Sequence, residues 1–128
     1  LTADDGAASD DQYFGWSVAV DGNTVVVGAW WNGDWGKTYI FRTDDEGATY
    51  AQVAMFTGSK SNSYFGDSVA VSGDTVVVGA WAEDGPSCGS GPCLESGMGY
   101  AYIFRTTDGG ATYDQVAKLT VSGWLAKR

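Results

Sequence analysis

The alternation of apolar and polar positions divides the chain into short β-type runs separated by glycine-containing turns. Ser17-Val18-Ala19-Val20 and Thr24-Val25-Val26-Val27-Gly28-Ala29 flank Asp21-Gly22, and the arrangement returns as Ser68 to Val71, Ser72-Gly73 and Thr75 to Ala80. Glycine there supplies the positive φ that a tight hairpin needs, so each pair predicts an antiparallel hairpin. Lys37 to Arg42 and Tyr100 to Arg105 read as third strands, and Ala48 to Phe56 and Ala111 to Leu119 as fourth strands. In the last of these, Asp114, Gln115 and Lys118 mix with apolar residues, as an exposed outer strand requires. The Val25–Val27 and Val76–Val78 runs are apolar on both strand faces, which predicts a sheet covered on both sides.

The stretch from Tyr13-Phe14-Gly15 to Gly28-Ala29-Trp30 recurs almost letter for letter from Tyr64-Phe65-Gly66 to Gly79-Ala80-Trp81. Phe14 and Phe65 are 51 positions apart but Tyr39 and Tyr102 are 63 apart, so the second copy carries twelve extra residues between its second and third strands. The expected organisation is one module, with repeat 1 over about 3–57, repeat 2 over about 58–120 and an insertion over about 82–99. Four-stranded units of about 50 residues with two apolar faces fit the blades of a β-propeller. The expected fold class is all-β: two four-stranded antiparallel β-propeller blades, part of a larger or oligomeric propeller. Two blades alone would leave apolar faces in water, which implies further blades, self-association or a larger assembly as partners.

Phe14-Gly15 with Gly28-Ala29-Trp30, and Phe65-Gly66 with Gly79-Ala80-Trp81, resemble FG-GAP repeats, the blade sequence of integrin α-chain propellers. The resemblance implies an extracellular or cell-surface setting and a recognition role. Two departures stand out. Trp30 and Trp81 replace the final proline, and the calcium loop that integrin-type repeats carry between strands one and two is missing. Asp21-Gly22-Asn23 and Ser72-Gly73-Asp74 are too tight to hold a cation that takes six to eight oxygens, so no cofactor is expected, with a weak calcium site in Ala3 to Asp11 as the alternative. Thr43 to Tyr50 and Thr106 to Tyr113 resemble the Asp-box hairpin, (Ser/Thr)-x-Asp-x-Gly-x-Thr-aromatic. Asp45, Gly47, Asp108 and Gly110 are accordingly expected to be structural turn residues: the carboxylate caps backbone N–H groups and the glycine makes the bend.

Sixteen acidic against seven basic side chains give a net charge of −9, which repels phosphate backbones and excludes nucleic acid as a natural partner. Anionic membrane surfaces are disfavoured likewise. No apolar run approaches the roughly 18 residues of a bilayer span, and no basic-then-apolar leader opens the sequence. Opening on Leu1 rather than Met, it reads as a processed or excised piece. With no histidine, histidine acid–base chemistry and Ser-His-Asp or Cys-His arrangements are excluded. Too few arginines converge to make a sialidase. The acidic clusters at Asp4-Asp5, Asp10-Asp11, Asp44-Asp45-Glu46 and Glu83-Asp84 read as solvated loop acids; a glycosidase needs two suitably spaced carboxylates, one with a raised pKa. Cys88 and Cys93, in the Gly/Pro-rich insertion, read as a local disulfide of an oxidising compartment, with two free thiols as the alternative. No metal site is expected.

In an antiparallel four-stranded blade the loop between strands two and three and the connection to the next blade emerge at the same end. Variable loops on a rigid scaffold are where binding usually sits. Trp31, Asp34, Trp35, Glu83 and Asp84 are the ligand-binding candidates, since Trp offers a rigid face for a sugar ring or protein partner. The alternative is that the tryptophans fill the wedge between blades, the expected role of Trp30 and Trp81, which repeat in register. The favoured function is non-catalytic recognition or adhesion, binding a protein or a glycan. Its rivals are an architectural subunit, whose Trp31–Gly36 loop and cysteine insertion would be buried against neighbours, and a glycosidase-type enzyme fragment.

Overall fold

The computed structural model describes residues 1–2, 13–31, 35–60, 62–84 and 97–121. Among them β1 (Ser17–Asp21), β2 (Thr24–Ala29), β3 (Lys37–Arg42) and β4 (Ala51–Thr57) form one antiparallel sheet in that order; β5 (Ser68–Ser72), β6 (Thr75–Ala80), β7 (Tyr100–Arg105) and β8 (Asp114–Leu119) form a second. The chain is all-β over the described residues, built as two copies of the sheet from which propellers are made. Gly22 and Gly73, each with φ 55°, take the first of the two turn positions in the β1–β2 and β5–β6 hairpins. An L side chain is strained there.

The fourth strands start three residues later than the pattern predicts, at Ala51 and Asp114. Ala48–Tyr50 and Ala111–Tyr113 belong instead to the preceding turn, where the Asp45 and Asp108 carboxylates take the N–H groups of Thr49 and Thr112. Both sheets carry a bulge at the same place. Ile40 faces Ala54 and Phe41 faces Gln52, leaving Val53 over; Ile103 faces Ala117 and Phe104 faces Gln115, leaving Val116 over.

The blades meet face to face, and their inner strands come closest, β5 lying against β1 and β2. Glycine permits this approach, because a Cβ at Gly28 would fall onto the Gly66 carbonyl oxygen. Further out the gap is filled by larger side chains, with Phe56 stacked on Phe104 at 3.9 Å between ring centres. Val26 and Ile40 from the first blade join Phe65, Val76, Val78, Ala80, Tyr102 and Phe104 from the second in one buried cluster. On the other side of the first blade, Val27, Ala29, Tyr39 and Phe41 form a smaller one with Phe14, Val25 and Tyr50.

The repeat letters are the same, yet burial differs with position in the stack. Val69 and Val71 pack against the central cluster, whereas their counterparts Val18 and Val20 are 66% and 68% exposed. Val26 is fully buried, whereas its counterpart Val77 is half-buried. On the outer sides coverage is uneven: Val27 is buried in the cluster with Phe14 and Tyr39, whereas Val18 and Val20 are exposed and Val77 is half-buried.

Candidate functional site

β1 begins and β2 ends at the same end of the blade, so the Tyr-Phe-Gly turn entering each blade lies beside the tryptophan leaving its second strand. In both turns the tyrosine itself takes positive φ, 65° at Tyr13 and 59° at Tyr64, and its carbonyl accepts the N–H of Trp16 or Asp67 at 2.9 Å. Positive φ at a bulky residue costs about 1–3 kcal/mol and persists only where packing enforces it. Here the packing is aromatic. Tyr13 stacks on Trp30 with ring centres 5.3 Å apart and Tyr64 on Trp81 at 4.8 Å, while Trp30 also meets Tyr64 at 4.6 Å. The result is a row, Tyr13, Trp30, Tyr64, Trp81, that runs from one blade to the next.

Trp16 and Trp31 stand edge-on to Trp30 at 5.7 and 5.4 Å, and Trp16 Nε1 donates to Asp67 Oδ1 at 3.0 Å. Trp35, 46% exposed, precedes β3 at this end. The Gly58 N–H donates to the Gly36 carbonyl at 3.0 Å and the Ser63 hydroxyl to that of Trp35 at 3.4 Å, so the strand 2–3 loop is tied to the blade connection. All five tryptophans among the described residues therefore gather at the loop-bearing end.

Of the candidate ligand residues, Trp31 is half-buried and Trp35 is open. Asp34 lies outside the described residues, as do Cys88, Cys93 and the stretch from Ala3 to Asp11. Trp30 fills the space between blades as expected. Trp81 is instead 60% exposed, with Tyr64 on one side and no following ring among the described residues on the other. Tyr13, Trp16 and Tyr64 were missed by sequence reasoning, although Tyr-Phe-Gly repeats in register with Gly-Ala-Trp and pointed to a ladder.

Glu83 is not a solvated loop acid. It is 1% exposed, with one carboxylate oxygen accepting from the Tyr102 hydroxyl and the other 2.6 Å from Lys118 Nζ. Ser59 Oγ lies 2.6 Å from the Tyr102 hydroxyl, and Lys118 Nζ sits 4.3 Å from the centre of the Tyr100 ring. Burial together with Glu83 pushes the Tyr102 hydroxyl above its ordinary value of 10.0. For Lys118, partial burial works against the charge, but the hydrogen bonds to Glu83 and Tyr102 outweigh it and the pKa rises. The cluster ties the start of the insertion to the outer strand. Asp84 closes the base of the insertion, its Oδ1 accepting from Gly97 N–H at 2.7 Å while Gly99 N–H donates to the Glu83 carbonyl at 3.0 Å.

The two Asp-box turns are alike. Asp45 accepts from Thr43 Oγ1, Thr49 N–H and Thr49 Oγ1 at 2.7, 2.8 and 2.5 Å; Asp108 takes the matching bonds from Thr106 and Thr112. These bonds to the charged form, from Thr49 first, hold Asp45 down to about 2, and the Thr112 bonds lower Asp108 as well. A carboxylate with a depressed folded pKa stabilises the fold above its unfolded value and loses that contribution as pH falls through the folded one. The melting temperature of the wild type should therefore fall from about pH 4 down to about pH 2, and more shallowly in Asp45→Asn/Asp108→Asn. Equal slopes would show that these turns do not carry the acid response.

The FG-GAP repeat family model matches residues 1–41 and 50–104. The chain belongs to the FG-GAP repeat family. No match is found among curated proteins. At the β1–β2 and β5–β6 turns, where integrin-type FG-GAP repeats carry a calcium loop, the described residues form no equivalent cradle. The β1–β2 turn has two residues, and Asp21 Oδ2 accepts the Gly73 N–H at 2.6 Å from the neighbouring blade's turn. These residues do not fit calcium.

At the opposite end of this FG-GAP pair a groove of about 540 Å³ runs between the two Asp-box turns, lined among others by Asn23, Arg42, Asp44, Thr49 and Asp108. Arg42 donates to Thr24 Oγ1 and lies so close over Gly110 that a Cβ there would strike its guanidinium. Asp108 is driven toward the charged form, opposite to what a glycosidase's general acid needs. No helix among the described residues is long and apolar enough to cross a membrane.

Proposed function

We propose that this FG-GAP pair is a non-catalytic recognition or adhesion module of the extracellular space or cell surface, taking a protein or glycan at its loop-bearing end. One observation carries the reading: all five described tryptophans collect there, with Trp16 and Trp35 at 56% and 46% exposure. Exposed large aromatics are costly in water and are common anchors of binding surfaces, where a rigid ring gives contact area at little loss of entropy. The hydrogen bonds from Gly58 and Ser63 hold the Trp35 and Gly36 backbone in place before any ligand arrives, which lowers the ordering cost of binding.

The test is a screen of the chain against arrays of immobilised oligosaccharides and of extracellular matrix proteins. Binding is expected, weakened about tenfold or more by Trp35→Ala and by Trp31→Ala but unchanged by Asp45→Asn at neutral pH. Failure on both arrays, or binding indifferent to Trp31 and Trp35, would remove the proposal. An architectural subunit predicts such failure. Glycosidase activity toward an array sugar, lost on Asp44→Asn, would favour the enzyme reading instead.

A further inference from the structure

The contact between the two blades is a template for what would cover their outer sides. In it Trp30 receives Tyr64, Ser17 Oγ donates to the Gly66 carbonyl at 2.7 Å, and Gly28 admits that carbonyl. Gly73 N–H reaches Asp21, and Gly110 takes the Arg42 side chain. Each first-blade member has a counterpart on the outer side of the second blade. Trp81 stands for Trp30, Ser68 for Ser17, Gly79 for Gly28, Ser72 for Asp21 and Arg105 for Arg42, and among these Trp81, Ser68, Ser72 and Arg105 are exposed.

Gly79 is the telling one. Gly28 must be glycine because a neighbouring backbone presses on it, whereas a Cβ at Gly79 would meet only Ser68, first at its mobile hydroxyl. The second blade thus keeps the gap for a close-approaching backbone without having one in it. The complementary half is at the other end of the same chain. Tyr13 and Gly15 correspond to Tyr64 and Gly66, nothing lies within 4 Å of a Cβ at Gly15, and Val18 and Val20 are exposed where Val69 and Val71 are packed.

We propose that a second copy of this chain docks head to tail on the outer side of β5–β6, its Tyr13 stacking on Trp81 and its Gly15 carbonyl entering at Gly79. The occupant is argued from complementarity: the chain carries both halves of an interface that it already makes once internally. Such a contact is heterologous, so it leaves a free half at each end and adds copies until the rotation closes a ring. With −9 on each copy, association needs moderate salt; at about 0.15 M the Debye length is about 8 Å, short enough to screen charges beyond the contact.

Sedimentation velocity and light scattering of the whole chain over a range of concentrations test this. Wild type is expected to form species that are multiples of 13.5 kDa and dissociate on dilution. Gly79→Val blocks one half and Val18→Lys/Val20→Lys the other. Both sites lie on the outer sides, and circular dichroism checks that the sheets remain. Each variant alone should be monomeric, with self-affinity weakened at least about tenfold, but an equimolar mixture should give a dimer containing one of each, since each keeps the half that the other lacks. A wild type that stays a monodisperse monomer overturns the proposal. So does a mixture that yields no mixed dimer, or variants that assemble like wild type.

Discussion

Phe65→Ala is expected to destabilise the protein by about 3–5 kcal/mol, the range for deleting a fully buried aromatic ring from a packed core. Phe65 has no exposed surface and meets Tyr102 edge-on at 5.1 Å between ring centres and Phe104 at 6.4 Å, inside the cluster that joins the blades. Its counterpart Phe14 has nearly the same neighbours, Tyr39 at 5.3 Å and Phe41 at 6.2 Å, but is half-buried on the outer side of the first blade. Phe14→Ala should therefore cost clearly less in dilute solution, because part of that ring is already in water. Urea unfolding of both variants decides the matter. Equal losses would mean that the two faces are equally covered and that the blade contact does not set the stability.

The second large effect is expected at a residue that looks like an ordinary surface lysine. Lys118→Met should cost about 3–5 kcal/mol, the penalty for leaving a buried carboxylate without its partner. Its side chain is 34% exposed, but that of Glu83 has no exposure at all. Removing the carboxylate instead is milder: in Glu83→Gln the shape is kept, the Tyr102 hydroxyl retains an acceptor, and the lysine can turn to solvent. Glu83→Gln/Lys118→Met should then recover most of the loss, since replacing both members of a buried pair is often close to neutral. If the double variant is as unstable as Lys118→Met, the pair is not the cause.

The same cluster sets the alkaline limit. Tyr102 and Lys118 both bind protons more tightly in the folded chain than in the unfolded one. Their contribution is therefore complete below the unfolded values, 10.0 and 10.5, and is lost as pH rises through the folded ones. Wild-type stability should drop above about pH 10, and the drop should be smaller in Glu83→Gln, where the charge that raises both is gone.

Local chemistry made several elements legible before any tertiary contact was known. The strands Thr24–Ala29, Lys37–Arg42 and Tyr100–Arg105 follow from β-branched and aromatic runs between turn residues. The hairpin glycines follow from the φ they must adopt, and Asp45 and Asp108 from a turn whose hydrogen bonds span only four residues. The β4 and β8 boundaries were less legible, because Ala-Thr-Tyr suits a strand and an Asp-box equally well until the carboxylate is seen holding the threonine.

The amino-acid sequence by itself determined that this is a repeat of two four-stranded units, where the β1–β2 and β5–β6 hairpin turns fall, and which family it belongs to. These depend on backbone preferences and on contacts between neighbours in the chain. Which copy of an identical letter is covered was decided by the tertiary structure alone. Trp30 is sandwiched and Trp81 open, Val69 packed and Val18 exposed, Gly28 filled and Gly79 vacant, because burial belongs to the place in the stack and not to the residue. Glu83 is the clearest case. Read in sequence beside Asp84 it is a loop acid, but Ser59, Tyr102 and Lys118 reach it from 24, 19 and 35 positions away, and only folding brings a base and two hydroxyls to one carboxylate.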